Sequence, residues 1–278
     1  MEKICLVTGA NSGIGKATTT ALAAMGEMVI MICRDRSKGE AARAEISRKT
    51  ENERVHLLIA DLSRQREIKR LAAQVRAEYP NLHVLINNAG AWNSDRMVTA
   101  DGFETTWAVN HLAYFLLTME LLDLLKASAP ARIVNLSSDW HKLGRINFDD
   151  LQFEHGYGGS KAYGQSKLAN VLFTYELARK LEGTGITVNC LHPGGVNTNF
   201  FNDLKGLTGI VTRLNRPLMR SPEKGAETVI WLATSPEVEG VSGKYFFDCH
   251  EIKSSRESYD PEVARKLWEI SEQMTDGR

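Results

Sequence analysis

Long apolar runs are missing from this chain. None approaches the ~18 residues that a membrane-spanning helix needs, and the longest, Met28 to Cys33, has the length of a strand. A surplus of either charge is missing too, because 34 Lys and Arg face 34 Asp and Glu. Binders of nucleic acid or anionic membranes usually carry a basic surplus, so neither partner is expected. Only four cysteines, Cys5, Cys33, Cys190 and Cys249, are spread over 278 residues. Their spacing suits neither zinc nor a thiol redox pair; buried reduced thiols and no metal are expected. Met1-Glu2-Lys3 runs straight into Ile4-Cys5-Leu6-Val7 without the apolar stretch of a signal peptide. These absences together suggest a cytoplasmic protein. At 43% hydrophobic and 24% charged, the composition is that of a globular chain rather than a disordered or fibrous one.

What is present is an alternation of short β-rich apolar runs with longer stretches of helical period. Strands are expected at 3–8, 28–33, 55–60, 84–87, 132–137, 187–192 and 244–248. Helices are expected near 13–25, 37–50, 63–79, 103–126, 162–181 and 222–234. Ser37 with Glu40, Ser63 ahead of Arg66-Glu67, and Ser221-Pro222-Glu223 read as helix starts. Apolar strands separated by helices imply an α/β fold, a parallel sheet covered on both faces by right-handed crossovers. No repeat or linker interrupts residues 1–278, so one doubly wound domain with a mostly seven-stranded sheet is expected, ending in a tail at 250–278. Two long connections break the rhythm, 138–161 and 194–220. Ligands of such sheets sit beyond the carboxyl ends of the strands, where both connections emerge.

Thr8-Gly9-Ala10-Asn11-Ser12-Gly13-Ile14-Gly15 joins the first strand to the first helix. Gly9 permits a tight turn, Gly13 a close approach to a pyrophosphate, and Gly15 close helix–strand packing, with the anion at the helix amino end. No Gly-Lys-Ser/Thr follows, which excludes a magnesium-dependent phosphate loop.

The sequence here resembles the short-chain dehydrogenase/reductase family, and further motifs match it in order along nearly the whole chain. They are Asn87-Asn88-Ala89-Gly90, Asn110, Ser137-Ser138, Tyr163-Gly-Gln-Ser-Lys167 and Pro193-Gly194-Gly195-Val196-Asn197-Thr198. The segments 101–105, 166–173 and 242–246 look most like its retinol dehydrogenase branch. The resemblance implies a Rossmann-type fold and a nicotinamide cofactor. It would be held by Gly9, Asn11, Ser12, Gly13, Ile14, Gly15, Asp61, Leu62, Asn88, Ala89, Gly90, Tyr163, Lys167, Pro193, Gly194, Val196 and Thr198. Members of the branch that sit in membranes carry an amino-terminal anchor ahead of the first strand, which this sequence does not show. The family often forms dimers or tetramers, and a homodimer or homotetramer is expected by analogy alone.

In the family, a carboxylate ending the second strand favours NAD by bonding the adenosine ribose. Cys33 holds that position here and Arg34 follows it. A guanidinium offers a charge-assisted fork to a 2′-phosphate, so NADP(H) is expected in preference to NAD(H). The competing reading has Arg34, Arg36 and Lys38 as a solvated turn, with Asp35 neutralising Arg34. Asp61, likewise, could serve only to start a helix before Ser63.

Reducing a carbonyl by hydride transfer requires a proton for the forming alkoxide. A phenol ionises near ~10, and Lys167, four residues after Tyr163, lies on the same helical face, where its ammonium favours the phenolate. Tyr157-Gly-Gly-Ser-Lys161 has the same spacing, but Gly158-Gly159 makes a poor helix interior. Tyr163 and Lys167 are therefore the expected pair. Ser137 and Ser138 point opposite ways on an extended strand, and the branch's spacing to the tyrosine selects Ser138 to bond the substrate oxygen. By resemblance, Lys167 also holds the nicotinamide ribose and Asn110 anchors a water.

No Gly-x-Ser-x-Gly or His-Glu-x-x-His supports a hydrolase or metal site. His111 and His192 are expected as structural residues, while His141, Trp140 and Trp92 are candidates for substrate contact. Residues 200–219 are rich in apolar side chains and form either a substrate lid or a packing interface. The expected activity is NADP(H)-dependent interconversion of an alcohol and an apolar carbonyl, for instance a retinoid-like one. The alternatives are a non-catalytic NADP(H) sensor and a sugar-nucleotide epimerase or dehydratase, the latter typically with a two-residue gap after the first glycine.

Overall fold

A computed structural model describes residues 3–197 and 219–276. The strands are β1 (Ile4–Thr8), β2 (Met28–Cys33), β3 (Val55–Ile59), β4 (Val84–Asn87), β5 (Ala131–Leu136), β6 (Ile186–Leu191), β7 (Tyr245–Phe247) and β8 (His250–Glu251). They form one sheet in the order β3-β2-β1-β4-β5-β6-β7-β8. All pairs are parallel except β7–β8. Among the described residues the sheet thus has eight strands rather than the seven expected. Asp248 and Cys249, both at positive φ, turn the chain back tightly after β7, and β8 is too short to show in a hydrophobic pattern.

The helices are α1 (Gly13–Ala24), α2 (Arg36–Thr50), α3 (Gln65–Glu78), α4 (Thr105–Ala127), α5 (Gly159–Lys180), α6 (Pro222–Thr234) and α7 (Pro261–Asp276). Strand side chains alternate between two cores. Leu6, Ile30, Leu85, Ile133 and Val188 meet α3, α4 and α5 on one face. Val7, Met31, Ile86, Val134 and Leu191 meet α1, α2 and α6 on the other. Removing this apolar surface from water, at roughly 25 cal/mol per Å², holds the layers together. By length and mean hydropathy α4 matches a membrane-spanning helix, although no uninterrupted apolar run announces it. In this fold 67% of its most apolar window is buried, which makes it a core helix of the sheet.

Several local expectations are corrected. Asp35, not Ser37, caps α2, its carboxylate accepting from the Lys38 amide at 3.0 Å. Ser63 does not cap α3; instead Asp101 reaches across to the Gln65 amide at 2.7 Å. Ser221 does cap α6. Residues 250–278, expected as a plain tail, contain α7. Asp260 accepts from the amides of Glu262 and Val263 at its start. Leu267 and Trp268 then bury against α4 and α5. Helix α4 contains a π turn at Ala108–Leu112. Such wide turns cluster at functional sites, and this one carries Asn110.

Sheet order reverses between β1 and β4. The carboxyl ends of β1, β2, β4, β5 and β6 therefore open onto one crevice, where ligands of such sheets bind.

Candidate active site

The glycine-rich connection leaves β1 through Gly9, at φ 67°, and enters α1 through Gly13, at φ 52°. Gly15 tolerates no side chain, because a Cβ there would lie 2.3 Å from the Gly9 carbonyl oxygen. Asn88 braces the turn: its amide donates to the Thr8 carbonyl at 2.7 Å, while its backbone N–H and that of Ala89 share the Thr8 hydroxyl. The N-cap Ser12 makes no side-chain cap bond. The first-turn amides of α1 are consequently left to an anion, which is what a dinucleotide pyrophosphate requires.

Arg34 is exposed at the carboxyl end of β2, and among the described residues it forms no ion pair. Asp35 caps α2 and forms no ion pair with Arg34 among the described residues. The Asp61 carboxylate accepts from the Ser63 amide and hydroxyl at 3.0 and 2.8 Å, so it braces the turn ahead of α3. Beyond β6, Gly194 (φ 79°) and the Val196–Arg220 bridge close the base of the long connection. Arg220 is ion-paired with Asp248 and lies over the Phe247 ring. Thr198 and nearly all of 200–219 lie outside the described residues.

At the amino end of α5, Tyr163 and Lys167 are both buried on the face turned to the sheet. The ammonium lies 5.7 Å from the Tyr163 ring centre and 5.5 Å from that of Tyr114. It donates to the Leu136 carbonyl at 3.1 Å. No carboxylate pairs with it among the described residues. Burial pushes Lys167 down to about 7. Burial likewise pushes Tyr163 up to about 12, opposed by a hydrogen bond from Ser138 that favours the phenolate. Burial dominates here and Tyr163 holds its proton at neutral pH, so the expected acidification by the lysine does not show.

Ser137 and Ser138 separate as their alternation requires. The Ser137 hydroxyl donates to the Lys167 carbonyl at 2.8 Å inside the fold. That of Ser138 bonds Tyr163 and accepts from the Trp140 amide at 3.3 Å. Asn110 accepts the Ala91 amide at 2.6 Å and donates to the Ala91 carbonyl and the Ser166 hydroxyl. Both its amide hydrogens are thus used, and any water held there must meet an oxygen. The rival Tyr157 precedes α5 and bonds the Asn93 carbonyl and Glu104, while Lys161 is exposed on the first turn. These two do not share a helical face.

Trp92 packs on Tyr163 at 4.8 Å between ring centres and edge-on against Trp140 at 5.2 Å. Two aromatic walls therefore flank the phenol. His141, a candidate for substrate contact, is fully buried and turned into the protein. Sequence reasoning missed Tyr114, whose hydroxyl donates to the Ala89 carbonyl at 2.8 Å and whose ring faces Lys167. Its place one turn after Asn110 on the same helix was the available signal.

A wide cavity of about 980 Å³, lined by Ala131, Ile186, Tyr175 and Tyr259 among others, opens at the amino ends of β5 and β6. It holds none of these residues. The chemistry sits at the opposite end of the sheet.

A family model described as short chain dehydrogenase matches residues 3–206. Human retinol dehydrogenase 14 is 47% identical over 98% of this chain and 86% of its own length. Mouse retinol dehydrogenase 12 is 45% identical over 97% of this chain and 85% of its own. Among solved structures, an uncharacterized protein from Mycobacterium paratuberculosis superposes with a TM-score of 0.80 at 33% identity, covering 99% of this chain and 93% of the other. A short-chain dehydrogenase from Burkholderia cenocepacia in complex with NADP gives 0.70 at 26% identity over 88% and 95%. The chain accordingly belongs to the short-chain dehydrogenase/reductase family, similar to its retinol dehydrogenases, and is an oxidoreductase acting on alcohol and carbonyl groups.

Proposed function

We propose that the protein interconverts apolar aldehydes or ketones with their alcohols, using NADP(H) in preference to NAD(H). One observation carries the reading: a buried Tyr163 bonded to Ser138, one helical turn from Lys167 and flanked by two tryptophans. The nicotinamide, when bound, supplies or takes up the hydride. Tyr163 gives the proton to the forming alkoxide, and Ser138 steadies the substrate oxygen. Lys167 has donors left beyond its single bond to Leu136, which suits the ribose hydroxyls. The amides of Gly13, Ile14 and Gly15 would take the pyrophosphate, with Asn11, Ser12, Asn88, Ala89 and Gly90 alongside. Asp61 and Leu62 would flank the adenine, and Pro193, Gly194 and Val196 the nicotinamide. Asn110 pins Ala91 and thereby places both Gly90 and Trp92. The tryptophan walls suit a flat apolar substrate, retinoid-like or aromatic. Four free thiols support a cytoplasmic location.

The test is loss of NADPH absorbance when purified protein meets a panel of apolar aldehydes and ketones. Tight NADPH binding without turnover on any of them would overturn the reading in favour of a sensor.

Cofactor choice has its own test. Arg34→Ala is expected to weaken NADPH about ten- to a hundredfold, the worth of one charge-assisted bond. NADH binding should stay near its original strength. Equal losses for both cofactors, measured by fluorescence titration, would show that Arg34 does not meet a 2′-phosphate.

A further inference from the structure

His141 is the fifth residue beyond β5, on the 3-10 turn Asp139–Leu143, yet it is fully buried. Its Nε2 accepts the backbone N–H of Ser255 at 2.9 Å. Only an unprotonated nitrogen can accept, so the ring proton belongs on Nδ1. Nδ1 lies 2.7 Å from the Ser138 carbonyl oxygen, to which it donates, and the Tyr245 hydroxyl approaches the same nitrogen at 3.2 Å. The ring also packs against Tyr245 at 4.8 Å between centres. The Ser138 carbonyl receives the His141 backbone N–H as well, at 3.0 Å. The loop is pressed onto α5 where Gly144 meets Gly164; a Cβ on Gly144 would come within 2.3 Å of the Gly164 oxygen.

Ser138 is thus gripped through its carbonyl by His141 and through its hydroxyl by Trp140. We propose that His141 is a positioning residue: its single tautomer, set by Ser255, fixes the Ser138 backbone so that the hydroxyl proton faces Tyr163 and the substrate oxygen. The segment after β8 is in this way mechanically tied to the reacting centre, 114 residues away in sequence from His141. The inference rests on the oxidoreductase reading above.

Asparagine and glutamine divide the two nitrogens between them. His141→Asn places an amide nitrogen near Nδ1 and keeps the bond to Ser138 while losing Ser255. His141→Gln places an amide oxygen near Nε2 and keeps Ser255 while losing Ser138. The expected result is a kcat about ten- to a hundredfold lower in H141Q, as for a catalytic group displaced by about 1 Å. H141N should retain most of its kcat, and both variants should keep their NADPH affinity. Parallel losses in the two variants that track their melting temperatures, losses confined to H141N, or no loss in either would each overturn the proposal. Should H141Q fail to fold, Ser255→Pro decides. Ser255 has φ −65°, which proline adopts without strain, and the substitution removes the N–H that sets the tautomer together with a buried hydroxyl that makes no hydrogen bond among the described residues. S255P is expected to lower kcat severalfold in a folded protein, and an unchanged kcat would overturn the proposal. Crystal structures of the variants give a readout independent of turnover: Ser138 Oγ should move away from Tyr163 in H141Q and not in H141N. Wild-type protein that binds NADPH yet reduces no carbonyl would refute the oxidoreductase reading, while those structures would still decide His141.

Discussion

Tyr163→Phe is expected to lower kcat by about 10²- to 10⁴-fold, the span of a lost general acid, with NADPH binding as tightly as before. The substitution deletes one oxygen and keeps the ring that Trp92 and Trp140 pack against. Burial holds the wild-type phenol near 12, so in the protein without cofactor it is an acid with its proton in place. Phenylalanine removes that proton and leaves only Ser138 to stabilise the alkoxide. Steady-state kinetics beside a fluorescence titration of NADPH separates the two quantities. Tyr157→Phe is the matched control. It breaks hydrogen bonds to Asn93 and Glu104, and should cost about 1 kcal/mol of stability with kcat largely retained. A collapse of kcat in Y157F with an active Y163F would exchange the roles of the two tyrosines.

The outcome separates what a linear reading of residues can and cannot reach. Strands such as Met28–Cys33 are apolar at almost every position because a parallel sheet is covered on both faces, and that pattern is local. The spacing of Tyr163 and Lys167 is local as well, since one helical turn brings them together. The π turn at Ala108–Leu112 was not legible, because a single extra residue in a turn barely disturbs the apolar period around it. Helix α7 was legible and went unread. Asp260-Pro261 is a capped start, and Val263, Leu267, Ile270 and Met274 recur at helical spacing. The direction of His141 was not legible at all, since its distant partners Tyr245 and Ser255 depend on how the β5 loop meets β7 and the segment after β8. Nor could composition show the balance between burial and the Ser138 hydrogen bond at Tyr163. That balance depends on how completely the Trp92, Tyr114 and Trp140 rings exclude water.

Lys167→Met is expected to abolish turnover and to make the cofactor-free protein more stable at neutral pH. Among the described residues the ammonium sits by the Tyr114 and Tyr163 rings with one carbonyl and no carboxylate, and burial drives it from 10.5 to about 7. The unfolded chain therefore binds the proton more tightly than the folded one. Stability contributed by this group rises with pH between about 7 and 10.5, and the penalty is fully present below that window. At about 1.4 kcal/mol per unit of pKa the penalty has an upper bound on the order of 5 kcal/mol. Methionine fills the same channel without a charge, and the Leu136 carbonyl keeps its bond from Asn170 at 3.2 Å. A net gain of about 1–3 kcal/mol is then expected, as when other uncompensated buried charges are replaced by apolar side chains. Urea unfolding across the neutral-to-alkaline range measures it: the wild-type curve should climb toward that of K167M as pH rises. NADPH should stabilise the wild type more than the variant, because the lost ammonium is the group proposed to meet the ribose. A less stable K167M at neutral pH would mean that the charge is well accommodated without cofactor. A more stable one places Lys167 among residues that cost the fold stability and are kept for catalysis.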